Sequence, residues 1–278
     1  MRILKVINNN VVSAYDENEK EIVVMGKGIG FQKKSGEEMN QKLMEKKFSL
    51  PDENRSQFEE LLKDIPYEHI RTASRIVTYI RAHLSKQLNK NIYITLTDHL
   101  NFALERARQN ISMENALLWE IKRFYPEEFK LGVKALKIIK EELDVLLSED
   151  EAGFFALHIV NAEMPGDIQQ TIQTTEIIKD IMNIISYTFG IFPNETSLYY
   201  ERFLTHLKFL LKRIMKESEY KYNDADDPLN CMIREKFVES YRCARRIQNY
   251  IKARLQYKLP EEELTYLTIH ISRIILET

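Results

Sequence analysis

Two hydrophobic periods divide the chain. Over residues 1 to about 55 the apolar positions come in short β-type runs, Ile3 to Ile7 and Val11 to Tyr15, then Glu-Ile-Val-Val-Met at 21–25 and Lys-Lys-Phe-Ser-Leu at 46–50. Asn8, Asn9 and Asn10 separate the first two runs, and asparagine tolerates the left-handed backbone of a turn. Glycines at 26, 28 and 30 predict a bulged or sharply bent strand with exposed backbone. These signals predict a small antiparallel sheet of about four strands. About 55 residues is marginal for a lone domain, and pairing with a second copy would add stability.

After Pro-Asp-Glu-Asn-Arg-Ser at 51–56, read as a linker that also caps a helix, the period changes to three and four. Residues 58–65, 75–88, 99–111, 116–125 and 135–147 carry that spacing, and so do 175–189, 198–215, 234–255 and 263–276. Pro165 and Gly166 mark the break between two helical halves of about five helices each. The predicted class is multidomain α+β: a small N-terminal antiparallel sheet followed by two similar all-α helical bundles.

The two halves share more than period. Residues 99–106 read HLNFALER and residues 206–213 read HLKFLLKR, both H-L-x-F-x-L-x-R at an offset of 107. A second histidine follows each copy, His158 after EDEAGFFAL and His270 after EEELTYLTI, at an offset of 112. In both, three acidic residues precede two spacers and an aromatic stands four residues before the histidine. A period near 110 is that of a duplicated domain rather than a solenoid unit. These are four of only six histidines in 278 residues. The other two, His69 and His83, match no repeated motif and are assigned to helix surface.

Composition narrows the chemistry. Hydrophobic content of 44%, charged content of 29%, eight glycines and seven prolines describe a globular protein of long helices. No apolar run is long enough for a membrane span and the start lacks a signal peptide's pattern, so a reducing cytoplasm is expected. Cys231 and Cys243 show no metal-ligand spacing. A net charge of −2 means that any nucleic-acid binding must be local.

Three chemistries are open for the histidines. Metal binding lacks a recognised ligand motif. Acid–base catalysis has a tempting Asp98-His99 pair, but adjacent helix residues diverge and the second half has Thr205 there. Phosphorylation suits a neutral imidazole, a competent nucleophile, and brings almost two negative charges to the site. Arg106 and Arg213 stand seven residues beyond His99 and His206, on the same helix face, either to screen such an anion or to form an ion pair.

With ILKVINNNVV and VVMGKGIGFQKKSG at the N-terminus and TDHLNFALER and DEAGFFALHIVNAE beyond, the chain resembles bacterial transcriptional antiterminators of the LicT, BglG and SacY type, over essentially its whole length. The resemblance implies an RNA-binding co-antiterminator domain at 1–55 and phosphotransferase-system regulation domains at 56–168 and 169–278. It implies a cytoplasmic homodimer, not an enzyme, with no cofactor or metal. The homodimer would hold a hairpin in nascent mRNA against terminator formation in a sugar-utilisation operon. His99, His158, His206 and His270 fall on the family's phosphorylated histidines. The implied donors are a histidine-phosphocarrier protein and a sugar permease. By the same analogy inhibition belongs to His99 with His158, and activation to His206 and His270.

Among RNA contacts the resemblance favours Lys5, Asn10, Gly26, Lys27 and Phe31. The residues themselves add the amides of Asn8 and Gln32, and Lys33 and Lys34 as phosphate partners. Lys27 is a departure, because family members often carry arginine there, and lysine keeps the charge but loses the planar fork. Two alternatives follow from the same reading: a DNA-binding activator, which needs a helix-turn-helix where strands are predicted, and a histidine phosphoryl-transfer enzyme.

Overall fold

The computed structural model describes residues 1–49, 52–163, 168–215 and 228–277, with 52–54 described by their backbone alone. The predicted break at Pro165 and Gly166 lies outside the described residues, as does most of the polar stretch Tyr-Asn-Asp-Ala-Asp-Asp-Pro at 222–228, which reads as a loop. The chain divides into two compact units, one of Met1–Leu118 with Tyr125–Gly166, the other of Trp119–Phe124 with Asp167–Thr278.

In the first unit, strands β1 (Ile3–Asn8), β2 (Val11–Tyr15), β3 (Glu21–Met25) and β4 (Lys46–Phe48) form one antiparallel sheet in sequence order. The pairing of β2 with β3 is regular from Val11↔Met25 to Tyr15↔Glu21. Alternation then separates two buried faces. Val12, Ala14, Ile22 and Val24 pack with Ile3, Ile29 and Met39. Val11, Val23, Met25 and Phe48 join the core of the helices that follow, including Phe58, Leu62, Ile76 and Tyr93. The residues between β3 and β4 correct the expected bent strand: Gly26 to Gln32 is a turn, with Gly28 at φ +73° and Gln32 at φ +54°.

Helices α1 (Asp52–Asp64), α2 (Tyr67–His83), α3 (Ile92–Arg108), α4 (Leu118–Phe124), α5 (Pro126–Leu143) and α6 (Glu149–Glu163) follow. Helices α5 and α6 approach so closely at Gly132 that a Cβ there would lie 2.2 Å from the Ala152 carbonyl oxygen. The second unit takes Trp119–Phe124 of α4 and contains α7 (Ile168–Phe189), α8 (Leu198–Met215), α9 (Pro228–Lys236), α10 (Val238–Leu255) and α11 (Glu261–Leu276). Its α11 packs on α8, α9 and α10. The expected single helix at 234–255 is in fact two, because Phe237 at φ −120° and ψ 54° breaks it without a proline or glycine. Among the described residues no helix is long and apolar enough to cross a membrane.

Candidate functional site

The repeated histidines meet in pairs, one pair in each unit. His99 on α3 faces His158 on α6, with ring centroids 4.8 Å apart. His206 on α8 stacks on His270 of α11 at 5.2 Å and 19°. Each pair is completed by an acid that the sequence reading left without a role. Glu151 lies 3.0 Å from His99 Nε2 and 2.6 Å from an Arg106 nitrogen. Glu263 lies 3.1 Å from His206 Nε2, and its other oxygen accepts from Arg213.

Helix periodicity builds both clusters. His99 and Arg106 are seven apart on one helix, and Glu151 and His158 are seven apart on the other, so two turns bring each pair onto one stripe. The same spacing separates His206 from Arg213 and Glu263 from His270. Glu151 and Glu263 are the third members of the two acidic runs noted in the sequence. Acids open a helix favourably in any case, which hid that the third one turns inward. The heptad spacing from acid to histidine, matching that from histidine to arginine, was the signal available.

The electrostatics keep charge on the acid and off the inner histidine. Burial opposes ionisation of Glu151 and Glu263, but the histidine and arginine beside each outweigh it and hold both carboxyls below the usual range. Burial, and then the neighbouring His99, pushes His158 down to about 3; its Nδ1 is sealed from solvent. Burial, then His206 and Arg202, pushes His270 down to about 4. Both inner rings are therefore neutral near pH 7 and keep a lone pair. The His206 Nε2–H donates to Glu263.

These shifts give stability a sign with pH. A histidine whose folded pKa lies below its free value of about 6.5 takes up its proton first in the unfolded chain. Its contribution is complete above about pH 6.5 and is lost as pH falls towards the folded value. In the first unit Glu163, raised to about 7 by burial and then by neighbouring Glu128 against the pull of Lys86, acts in the opposite sense and offsets part of the His158 effect. His270 is not subject to that offset. The second unit is expected to lose about 1 kcal/mol between pH 7 and pH 5, allowing for partial exposure. Thermal melts of the full chain and of His270→Gln at both values check this, and an equal drop in the two proteins would contradict it.

His69 is not the surface residue expected. It is 3% exposed, with Nδ1 2.8 Å from Asn101 Oδ1 and Arg108 3.2 Å from Nε2. His83 is exposed and stacks on Tyr79 at 3.9 Å. Among the described residues, no group of three or more His, Cys, Asp or Glu side chains is arranged to hold a metal ion.

The candidate RNA residues fall into three groups. Lys27, Phe31 and Gln32 are exposed on the turn after β3, with Phe31 57% exposed and its ring available to stack. Asn10 and Gly26 support that turn from beneath: Asn10 Oδ1 accepts from the Gly28 N–H at 2.8 Å, and the Asn10 carbonyl accepts from Gly26 at 3.0 Å. Lys5 and Asn8 reach α1, where Lys5 pairs with Glu59 at 2.9 Å and Asn8 Nδ2 donates to the Leu62 carbonyl at 2.7 Å. Residues 1–49 hold four strands and one short 3-10 turn, with no helix-turn-helix.

The comparisons with known proteins agree with this layout. Residues 1–57 match the family described as CAT RNA binding domain, and residues 74–162 and 175–274 each match the PRD domain. The chain is 45% identical over 276 residues to transcription antiterminator LicT of Bacillus subtilis (strain 168), covering 99% of both proteins. It is 42% identical to the beta-glucoside operon antiterminator of Dickeya chrysanthemi, over 99% of this chain and 96% of that one. It is 31% identical to the GlcA/glcB genes antiterminator of Staphylococcus carnosus (strain TM300), over 97% and 94%. The crystal structure of GlcT CAT-PRDI aligns with a TM-score of 0.52 at 34% identity, covering 59% of this chain and 98% of that one.

Proposed function

The chain belongs to the family of transcription antiterminators that join a CAT RNA-binding domain to two PRD domains, and we propose that it acts on a sugar-utilisation operon under the control of histidine phosphorylation. Residues 1–55 form the RNA-binding domain, with 56–168 and 169–278 as the two regulation domains. A homodimer binds a hairpin in nascent mRNA and so excludes the terminator. The turn after β3 supplies the contacts, Lys27 to phosphate and Phe31 to a base face. The observation that carries the reading is the pair of matching His–His–Glu–Arg clusters in a chain aligned end to end with an antiterminator.

His99, His158, His206 and His270 are the phosphoryl acceptors. In the transfer, the lone pair of a neutral imidazole attacks phosphorus. The bond from phosphorus to the donor's imidazole breaks, and the donor leaves with that electron pair as a neutral ring. The donors are a histidine-phosphocarrier protein and a sugar permease. Phosphorylation places negative charge beside Glu151 or Glu263, which already hold the local arginine. Repulsion between the two anions and competition for that arginine change the contact between helices, a charge event with a structural readout.

The test is a titration of the full chain with its operon leader hairpin and with duplex promoter DNA, at two salt concentrations. Selective hairpin binding that weakens with salt is expected, with roughly a tenfold to hundredfold loss for Phe31→Ala. Binding to the duplex, with the hairpin ignored, would instead make the protein a DNA-binding activator.

A further inference from the structure

The repeated segment H-L-x-F-x-L-x-R has five fixed letters, and the fold accounts for four. Leu100, Leu104, Leu207 and Leu211 are all buried. The histidines and arginines meet the shared glutamates. The phenylalanine alone has no such use: Phe102 is 51% exposed and Phe209 is 60% exposed. Each stands three residues after its histidine, about one helical turn along the same face. A second aromatic faces each pair from the opposing helix. The Phe154 ring lies 5.8 Å from His99, and Tyr266, 58% exposed, lies 6.0 Å from His206.

The acceptor rings are recessed, His99 with 13% and His206 with 19% of the side chain exposed. Phosphoryl transfer needs donor and acceptor atoms within about 3–3.5 Å. A phosphoryl group carried on a protein side chain reaches that depth only when the carrier's surface lies on the rim. Phe102 and Phe209 are exposed side chains about one helical turn from those histidines. Exposed aromatics beside a reactive recess are also the residue class that anchors protein interfaces.

We propose that Phe102 and Phe209 are docking residues for the phosphorylated donor protein, each packing on an apolar patch beside the donor's phosphorylated side chain. This rests on the histidines being phosphoryl acceptors. It adds that access to each domain is set by a protein contact and not by the reactivity of the imidazole alone. The donor contact is transient, so one aromatic anchor in each domain has a large effect on its rate.

The experiment compares two donors on the full-length protein: purified phosphorylated histidine-phosphocarrier protein, and phosphoramidate, which has no surface to dock. Label on His206 is followed for the wild type, Phe209→Ala and Phe209→Leu, with a thermal melt of each. For Phe209→Ala the rate from the carrier is expected to fall about tenfold or more, while the phosphoramidate rate is unchanged. Phe209→Leu should recover much of the loss. Phe102→Ala should act likewise on His99 with the donor that serves the first domain. A wild-type carrier rate in Phe209→Ala overturns the docking assignment while leaving the acceptor reading intact. So does an equal fall with both donors, which would mean the ring merely supports the histidine. A change of oligomeric state with the carrier rate untouched also overturns it and gives the face to a second copy of the chain. If wild-type His206 takes phosphate from neither donor, the acceptor reading itself fails and the docking role falls with it.

Discussion

Alanine at Gly26 is expected to unfold the N-terminal sheet's edge and remove RNA binding with it. A Cβ at this position would sit 1.7 Å from the Leu43 carbonyl oxygen and 2.8 Å from its carbon. Neither side can give way cheaply. The Gly26 N–H is bonded to the Asn10 carbonyl at 3.0 Å, and just beyond Leu43 the Glu45 N–H is bonded to Met25 at 2.9 Å. The cost is set at about 3 kcal/mol, the upper end of overpacking penalties, a large share of a stability of roughly 5–15 kcal/mol. Gly28→Ala is the control. Its Cβ would meet open space, but φ is +73°, so only conformational strain of roughly 1–2 kcal/mol is at stake. Circular-dichroism melts and hairpin titrations of both variants decide the matter. Equal melting temperatures would show that the backbone around Leu43 yields and that the close approach is not a constraint.

Removing the carboxylate of Glu263 is expected to be the most damaging change in the second regulation domain. Glu263 is 4% exposed and serves His206 and Arg213 together. Glu263→Ala takes one partner from a largely buried ionic cluster, for which about 3 kcal/mol is the appropriate scale. For a domain of this size that lowers the melting temperature by roughly 10 °C. Glu263→Gln keeps the shape and one acceptor, so it should lose less. The pH dependence identifies the cause. The folded carboxyl is held below its ordinary range, so its contribution is present above the unfolded value of about 4.3 and disappears as pH falls through the folded one. The gap between wild type and Glu263→Ala should therefore close on acidification below about pH 4. A gap that stays constant there would mean that Glu263 stabilises through packing and not through charge.

The periodic signals carried most of the architecture. The expected helix at 198–215 is helix α8 residue for residue, and the first three strands lie within one residue of their predicted spans. What the sequence concealed came from contacts between distant segments. Gly26 reads as backbone offered to RNA, yet its lack of a side chain is demanded by a carbonyl 17 residues away. Asn10 reads as an amide offered to RNA, while its side-chain oxygen already accepts from the Gly28 N–H. His69 reads as surface because its partners Asn101 and Arg108 arrive from another helix. The break at Phe237 has no local cause in the sequence, since no proline or glycine stands there. Local pattern records which face of an element is apolar. It does not record which polar residue on that face finds a partner across the fold.

The two bonds that hold Lys5 and Asn8 to α1 have a thermodynamic consequence. On the proposed reading that Lys5 and Asn8 contact RNA, a Lys5 nitrogen engaged with Glu59, or an Asn8 amide engaged with the Leu62 carbonyl, is a donor withheld from it. Linkage is reciprocal, so whatever factor α1 takes from RNA affinity, bound RNA takes from the docking of α1. The ion pair is half exposed on the lysine side, and the second bond is a single neutral one. Together they are worth about 1–2 kcal/mol, a factor of roughly five to thirty. Such a helix biases RNA binding without locking it. On the same reading, bound transcript and the docking of α1 would each bias the other through these two side chains.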